Sequence, residues 1–257
     1  MLMSAIEAHR AAEGKTPFEC RTWRHGEEPP VSGSCPYEVS LHHWLDLTPG
    51  LPAVYSKFSR TAIRRMINKS KEGGTTVRQA TSEADVAEFY RLLVISRRRI
   101  GLPTLPYAFF LSIWRFLPPH QRSFMLASRD NHTVAAIFSL CDHGHFTMEH
   151  SGEEDRIYGS GIIQHLIWES ISAAHALGCT LASFGRTAVE NTSLASYKMH
   201  WGTVQEELRT YWPGSPPVQR QAVATTSPTR RVIGWLSSHS PAPVYHAMSS
   251  FCYKHWG

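Results

Sequence analysis

The chain has 257 residues, of which 42% are hydrophobic and 18% charged, with a formal net charge of +5. That composition excludes a disordered or fibrous protein and leaves room for one large domain or two small ones. The excess of base is too small to require a nucleic acid, but it suits a partner that carries phosphates.

The N-terminal MLMSAIEAHRAAEGK mixes acidic and basic residues and has no continuous apolar run, so it does not read as a signal peptide. No window reaches the length of apolar chain that spans a bilayer. A cytoplasmic protein is expected. Cysteines at Cys20, Cys35, Cys141, Cys179 and Cys252 form no CxxC pair, which points to reduced thiols rather than a disulfide framework or zinc knuckle.

Gly26 to Pro36 reads as a loop. SLHHWLDLTPG, with apolar Leu41, Trp44 and Leu47, predicts a strand closed by Pro49-Gly50. Val54, Phe58, Ile63, Met66 and Ile67 have helical spacing, so one helix is expected from Leu51 to the Gly73-Gly74 stop. Arg60, Arg64, Arg65, Lys69 and Lys71 crowd its second half. They suit either a solvated helix end, where cations favour the dipole, or a phosphate-facing patch.

TTVRQA is a short strand, and a helix capped by Thr81 or Ser82 follows, with acidic residues first and Arg97, Arg98 and Arg99 last. LPYAFFLSIWRFLP predicts a second helix. SFMLASRD, HTVAAIFSLCDHG and HFTMEHSG predict a meander of strands with turns at Asp130-Asn131 and Asp142-His143-Gly144. A long amphipathic helix then ends at Gly178, a strand CTLASFGRT follows, then a short helix over 190–202 and a last strand VQEELRTYW. From residue 76 the expected order is therefore β-α-α-β-β-β-α-β-α-β. That is an α+β fold, a three-layer domain around a mixed central sheet. The tail from Pro213 is rich in Pro, Ser and Thr, then turns into one or two short amphipathic helices with a Pro break.

Four constellations could carry chemistry. Arg156-Ile157-Tyr158-Gly159-Ser160-Gly161 lies between a strand and the long helix. Its spacing suits backbone N–H groups meeting a pyrophosphate at a helix N-terminus, with Arg156, Gly159, Ser160 and Gly161 as cofactor contacts. An ordinary glycine turn reads as well. Glu149 and His150 stand near the end of a central strand, where a transferase needs a base to deprotonate an amine; polar residues at a strand end are the plainer account. Phe184-Gly185-Arg186-Thr187, Glu190-Asn191 and Tyr197-Lys198-Met199-His200-Trp201-Gly202 form the densest cluster. A lysine among aromatics can polarise an acyl carbonyl or pair with phosphate, and a structural loop fits equally. Cys141-Asp142-His143-Gly144-His145 has metal-ligand residue types, but adjacent ligands on a hairpin tip rarely close a site, and a plain turn is expected with no metal.

Three segments, RRRIGLPTLPYAFF, the F-G-R-T-x-x-E-N run and S-Y-K-M-H-W-G, together resemble the FemAB-like transferases, GNAT-related proteins that build peptidoglycan interpeptide bridges and similar conjugates. The basic helix and the terminal W-L-x-x-x-S-P-A-P-V-Y fit the same family, so the resemblance covers residues 40–257. It is nearest to the branch linked with exopolysaccharide loci and the BioF2-like acetyltransferase domain. The resemblance implies two GNAT-like domains in tandem. Here 76–213 would be a complete acyltransferase domain, 1–75 an abbreviated first GNAT-like domain bearing the basic helix, and 214–257 a linker and helical tail.

The resemblance also implies an N-acyltransferase that uses acyl-CoA or aminoacyl-tRNA as co-substrate and an amine-bearing cell-envelope or exopolysaccharide precursor as acceptor. Lys198 would stabilise the acyl carbonyl or the tRNA end. Arg186 would touch phosphate or carboxylate, with Tyr197 and Asn191 beside it, and Arg64 and Arg65 of the basic helix would face tRNA or a phosphorylated acceptor. The alternative is a non-catalytic GNAT-like module that binds a polysaccharide or lipid synthesis system. A third expectation concerns the tail, where Trp235, Leu236, Val244, Tyr245, Phe251, Tyr253 and Trp256, with Arg230, Arg231 and Lys254, could rest on the inner face of an anionic membrane.

Overall fold

The computed structural model describes residues 20–22, 35–212 and 228–256. Strands β1 (Cys20–Thr22) and β2 (Cys35–Asp46) precede helices α1 (Leu51–Ser56) and α2 (Arg65–Glu72). Then come β3 (Thr76–Gln79), α3 (Glu83–Arg99), α4 (Tyr107–Phe116), β4 (Arg122–Arg129), β5 (His132–Asp142) and β6 (His145–Glu153). Helix α5 (Ile162–Ala176), β7 (Leu181–Thr187), α6 (Thr192–Met199) and β8 (Val204–Trp212) follow, and α7 (Pro228–His239) and α8 (Ala242–Trp256) end the chain. From β3 onward this is the order expected from hydrophobic periodicity.

All eight strands form one mixed sheet in the order β1-β8-β2-β7-β6-β5-β4-β3. The meander β4-β5-β6 is antiparallel, as its tight turns require. His143 and Gly144, both at positive φ, make the β5–β6 turn, so the Cys141–His145 run is a hairpin tip. Alternate side chains divide between two cores. Phe124, Leu126, Ala136 and Phe138 face α3 and α4. Met125, Ala127, Ala135 and Ile137 face α5. The sheet is thus covered on both faces, which gives the three layers.

Two expectations are corrected. Cys35 and Pro36 begin β2 instead of closing a loop; the remainder of that loop, 26–34, lies outside the described residues. The single helix from Leu51 breaks after Ser56 and resumes as a π-helical turn, Arg60–Arg64, that runs into α2. The cause is tertiary. Ser59 N–H donates to the His200 carbonyl at 2.8 Å, its hydroxyl caps Ala62 N–H, and Gly202 lies against Lys57. Docking on the 200–202 turn outweighs continuation of the helix.

The described part of residues 1–75 joins the same sheet and core. Strand β2 is inserted between β8 and β7. Val54, Phe58, Ile63 and Ile67 share a core with Ile162, Leu166 and Trp201. Residues 35–75 thus contribute strand β2 and core side chains to the sheet and core they share with the 76–212 segment. The Pro/Ser/Thr-rich part of the tail, 213–227, lies outside the described residues.

Candidate active site

The site grows from one strand pair. β6 and β7 run parallel and are paired at His145–Leu181, Phe146–Ala182 and Thr147–Ser183. Beyond these three positions they part. β6 stays with β5 as far as Glu153, and β7 stays with β2 through Arg186 and Thr187. Each strand is held by its outer neighbour, so a wedge opens between them. A bulge aids the divergence: Phe138 pairs with His150 and Ser139 with Met148, which leaves Glu149 unmatched. Past the last pair the main chains of β6 and β7 no longer serve each other as partners, and side chains take some of their groups, as the Ser183 hydroxyl takes Gly185 N–H at 3.1 Å.

Helix α3 braces the free end of β6. It lies so close to Gly152 that a Cβ there would overlap the main chain of Leu92 and Leu93. Ser96 hydroxyl accepts from Glu153 N–H at 2.8 Å and donates to the Glu153 carbonyl at 3.2 Å.

Glu149, the residue left over by the bulge, is exposed. Its carboxyl still lies deep enough among protein atoms that desolvation raises its pKa. His150 turns away from it. The ring stacks on Phe138, meets Phe110 edge-on and accepts from Arg97 through Nδ1 at 3.1 Å. Burial, then the Arg97 charge, lowers its pKa to about 4, so it is a neutral ring in the α3-side core and too weak a base at neutral pH. Of the two expected bases, the structure brings only Glu149 to solvent beside the wedge.

The glycine loop follows β6 at the N-terminus of α5. Gly159 and Gly161 both have positive φ, and Gly161 is the residue that caps α5. They differ in surroundings. Gly159 has open space where a Cβ would stand, whereas at Gly161 that space is filled by the Met66 carbonyl of α2. Lys69, also from α2, donates through Nζ to the Gly159 carbonyl at 2.8 Å. Ser160 accepts from Ile162 N–H, so its hydroxyl caps the helix. Arg156 bonds Glu154 and lines a groove of about 640 Å3 with Arg129, His132 and Ile157. Lys69 joining this loop is a contact that spacing could not show.

On the other side of the wedge, α6 presents Lys198. It is 6% exposed and donates to the Gly185 carbonyl at 3.1 Å and the Arg186 carbonyl at 3.2 Å. Desolvation lowers its pKa to about 8. Two buried histidines of β2 accompany it: His42 Nε2 bonds Ser183 Oγ at 2.8 Å, and His43 Nε2 bonds Gln205 at 3.1 Å. Burial lowers both, His42 to about 4, with the Lys198 charge adding to it. Tyr197 has a buried hydroxyl raised to about 12, mainly by burial.

Other expected contacts have structural partners. Asn191 Oδ1 accepts from Leu194 N–H and caps α6. Arg186 pairs with Glu38 of β2 at 2.7 Å. Arg65 is exposed on α2, while Arg64 is half-buried and its Nε has no hydrogen-bond partner among the described residues. Sequence reasoning missed Gly152 and His42, and it held Lys69 only as one cation of the basic helix, not as a partner of the glycine loop. Only Gly152 left a signal, a glycine inside a strand, which marks a close backbone approach.

The family model for the acetyltransferase (GNAT) domain matches residues 57–214. A search of curated proteins finds no match. Among solved structures, FemX superposes with a TM-score of 0.64 at 12% identity, over 81% of this chain and 75% of that one. The L-PGS structure from Bacillus licheniformis superposes with a TM-score of 0.53 at 13% identity, over 78% and 67% of the two chains. At these identities the structural likeness speaks for the fold.

Proposed function

Because the chain belongs to the acetyltransferase (GNAT) domain family, we propose that it is an N-acyltransferase whose reacting carbonyl lies in the wedge between β6 and β7. The observation that carries this reading is the parting of the two strands after Thr147 and Ser183, beside an exposed carboxylate of raised basicity. An acyl chain entering the wedge would bond the freed main-chain groups as a further strand would. Its carbonyl would then stand within reach of strand N–H donors.

The acceptor amine attacks the carbonyl carbon and forms the C–N bond. Glu149, directly or through a water, takes the amine proton. The strand N–H groups stabilise the oxyanion of the tetrahedral intermediate. Lys198 has spent two of its three N–H donors on Gly185 and Arg186, so one remains for the acyl oxygen. Collapse breaks the bond to sulfur or oxygen, and the leaving thiolate or alkoxide is protonated. The phosphates of the donor would meet the glycine loop at the positive end of α5, where Lys69 already bonds the Gly159 carbonyl, with Arg156 three residues before that glycine.

The donor is acyl-CoA or aminoacyl-tRNA, and the acceptor an amine of an envelope or exopolysaccharide precursor. Transfer is tested with both donors and a soluble amine, followed by mass spectrometry, for the native chain and for Arg156→Ala. The reading expects transfer from at least one donor, weakened by the substitution through donor affinity. If neither donor is consumed by the native chain, the reading fails and a non-catalytic module takes its place.

A further inference from the structure

We propose that helices α7 and α8 form a docking face for an anionic lipid bilayer. The two helices are firmly seated. Gly234 meets Gly101 main chain to main chain, Arg98 donates to the Ser240 carbonyl and lies over the Tyr245 ring, and Tyr245 hydroxyl donates to the Leu102 carbonyl at 3.0 Å. Tyr245 is fully buried by this packing, so it is removed from the residues that could meet a membrane.

What packing leaves outside is apolar. Val232 and Trp235 on α7 and Val244 and Phe251 on α8 are each half-exposed or more. Trp235 stacks on His239 one turn on, and Val232 lies three residues before it, so α7 shows a stripe of apolar surface. On α8, Val244, Ala247 and Phe251 are all exposed at helical spacing. Ile100, beside the Gly101 crossing, is exposed as well.

Charge chooses the occupant. From α7 to the last residue the sequence contains no Asp or Glu, while Arg230, Arg231 and Lys254 are basic. Arg231 is exposed on α7 next to Val232. Helices that join exposed Trp, Phe and Val to cations, with no carboxylate to repel lipid phosphate, have the composition of interfacial helices. No described helix is long and apolar enough to cross a membrane, so the contact lies in the plane of the interface.

The test is co-sedimentation of the full chain with vesicles of phosphatidylcholine alone and of phosphatidylcholine with phosphatidylglycerol. The expected result is binding to the second and not the first, reversed by salt. Arg231→Glu should weaken it about fivefold or more, and Trp235→Ser with Phe251→Ser about tenfold or more. Circular dichroism melts should be unchanged, because these side chains lie outside the packing. The inference is overturned if anionic vesicles do not bind the chain, if these variants sediment as the native chain does, or if the same substitutions instead dissociate a dimer while vesicles have no effect.

Discussion

The Met66 carbonyl of α2 occupies the space that a side chain on Gly161 would need. Gly161 also has a φ of 83°, in the left-handed region. One glycine therefore joins the basic helix to the head of α5. Gly161→Ala should cost about 3 kcal/mol, from left-handed strain plus main-chain overlap. Gly159→Ala, at a φ of 71° with open space around it, should cost only about 1 kcal/mol. Urea unfolding of the two variants checks the contrast; equal losses would show that α2 does not press on Gly161.

Gly152 makes the second close approach. A methyl group there meets the main chain of Leu92 and Leu93, which cannot rotate away as a side chain can. Gly152→Ala should push α3 off β6 and lower the thermal midpoint by several degrees, a loss of about 2 kcal/mol or more. Because α3 also holds Glu153 through Ser96, the same variant should lower donor affinity. A calorimetric melt and a donor titration measure both.

Acid should weaken the fold before its carboxylates protonate. Burial lowers His42 and His150 from 6.5 to about 4, and lowers His43 and His165 too. The unfolded chain accepts these protons near pH 6.5 and the native chain does not, so stability falls as pH drops from about 6.5 toward 4. Glu149 and His143, both raised, act in the opposite sense. Unfolding at pH 5 should still take up more than one proton net. Denaturant midpoints across that range supply the slope. A flat profile would contradict the buried-neutral assignment, which accounts for four of the fifteen histidines.

Lys198 predicts a slope at the other end of the scale. Its native pKa is about 8 against 10.5 for the free side chain. Between these values the unfolded chain holds the proton that the native chain has lost, so stability contributed by this site rises with pH from 8 to 10.5. Lys198→Met removes the titration. The difference in unfolding free energy between native chain and variant should therefore change with pH in this window and be level below it.

How much of this was legible beforehand depends on the length scale of the signal. Periodicity and turn residues, which act over a few positions, revealed α3, α5 and the β4-β5-β6 meander. The glycine loop and Lys198 were visible as motifs. The break at Ser59 was not, since it is made by His200 and Gly202, far along the chain. Nor was the place of β2, because apolar positions mark a strand without saying which neighbours it pairs with. Glu149 and His150 looked interchangeable as bases; the bulge and the Phe138 ring separate them. Asn191 and Arg186 seemed free to bind substrate until their cap and ion pair were seen.

The central claim is that Glu149 accepts the amine proton in the wedge between β6 and β7. It is tested most directly by the single-turnover rate of acyl transfer to an amine for the native chain and for Glu149→Gln, with whichever donor the native chain uses. The account predicts a rate about a hundredfold lower or more in the variant, with donor affinity and thermal midpoint unchanged. A variant that transfers as fast as the native chain would contradict it.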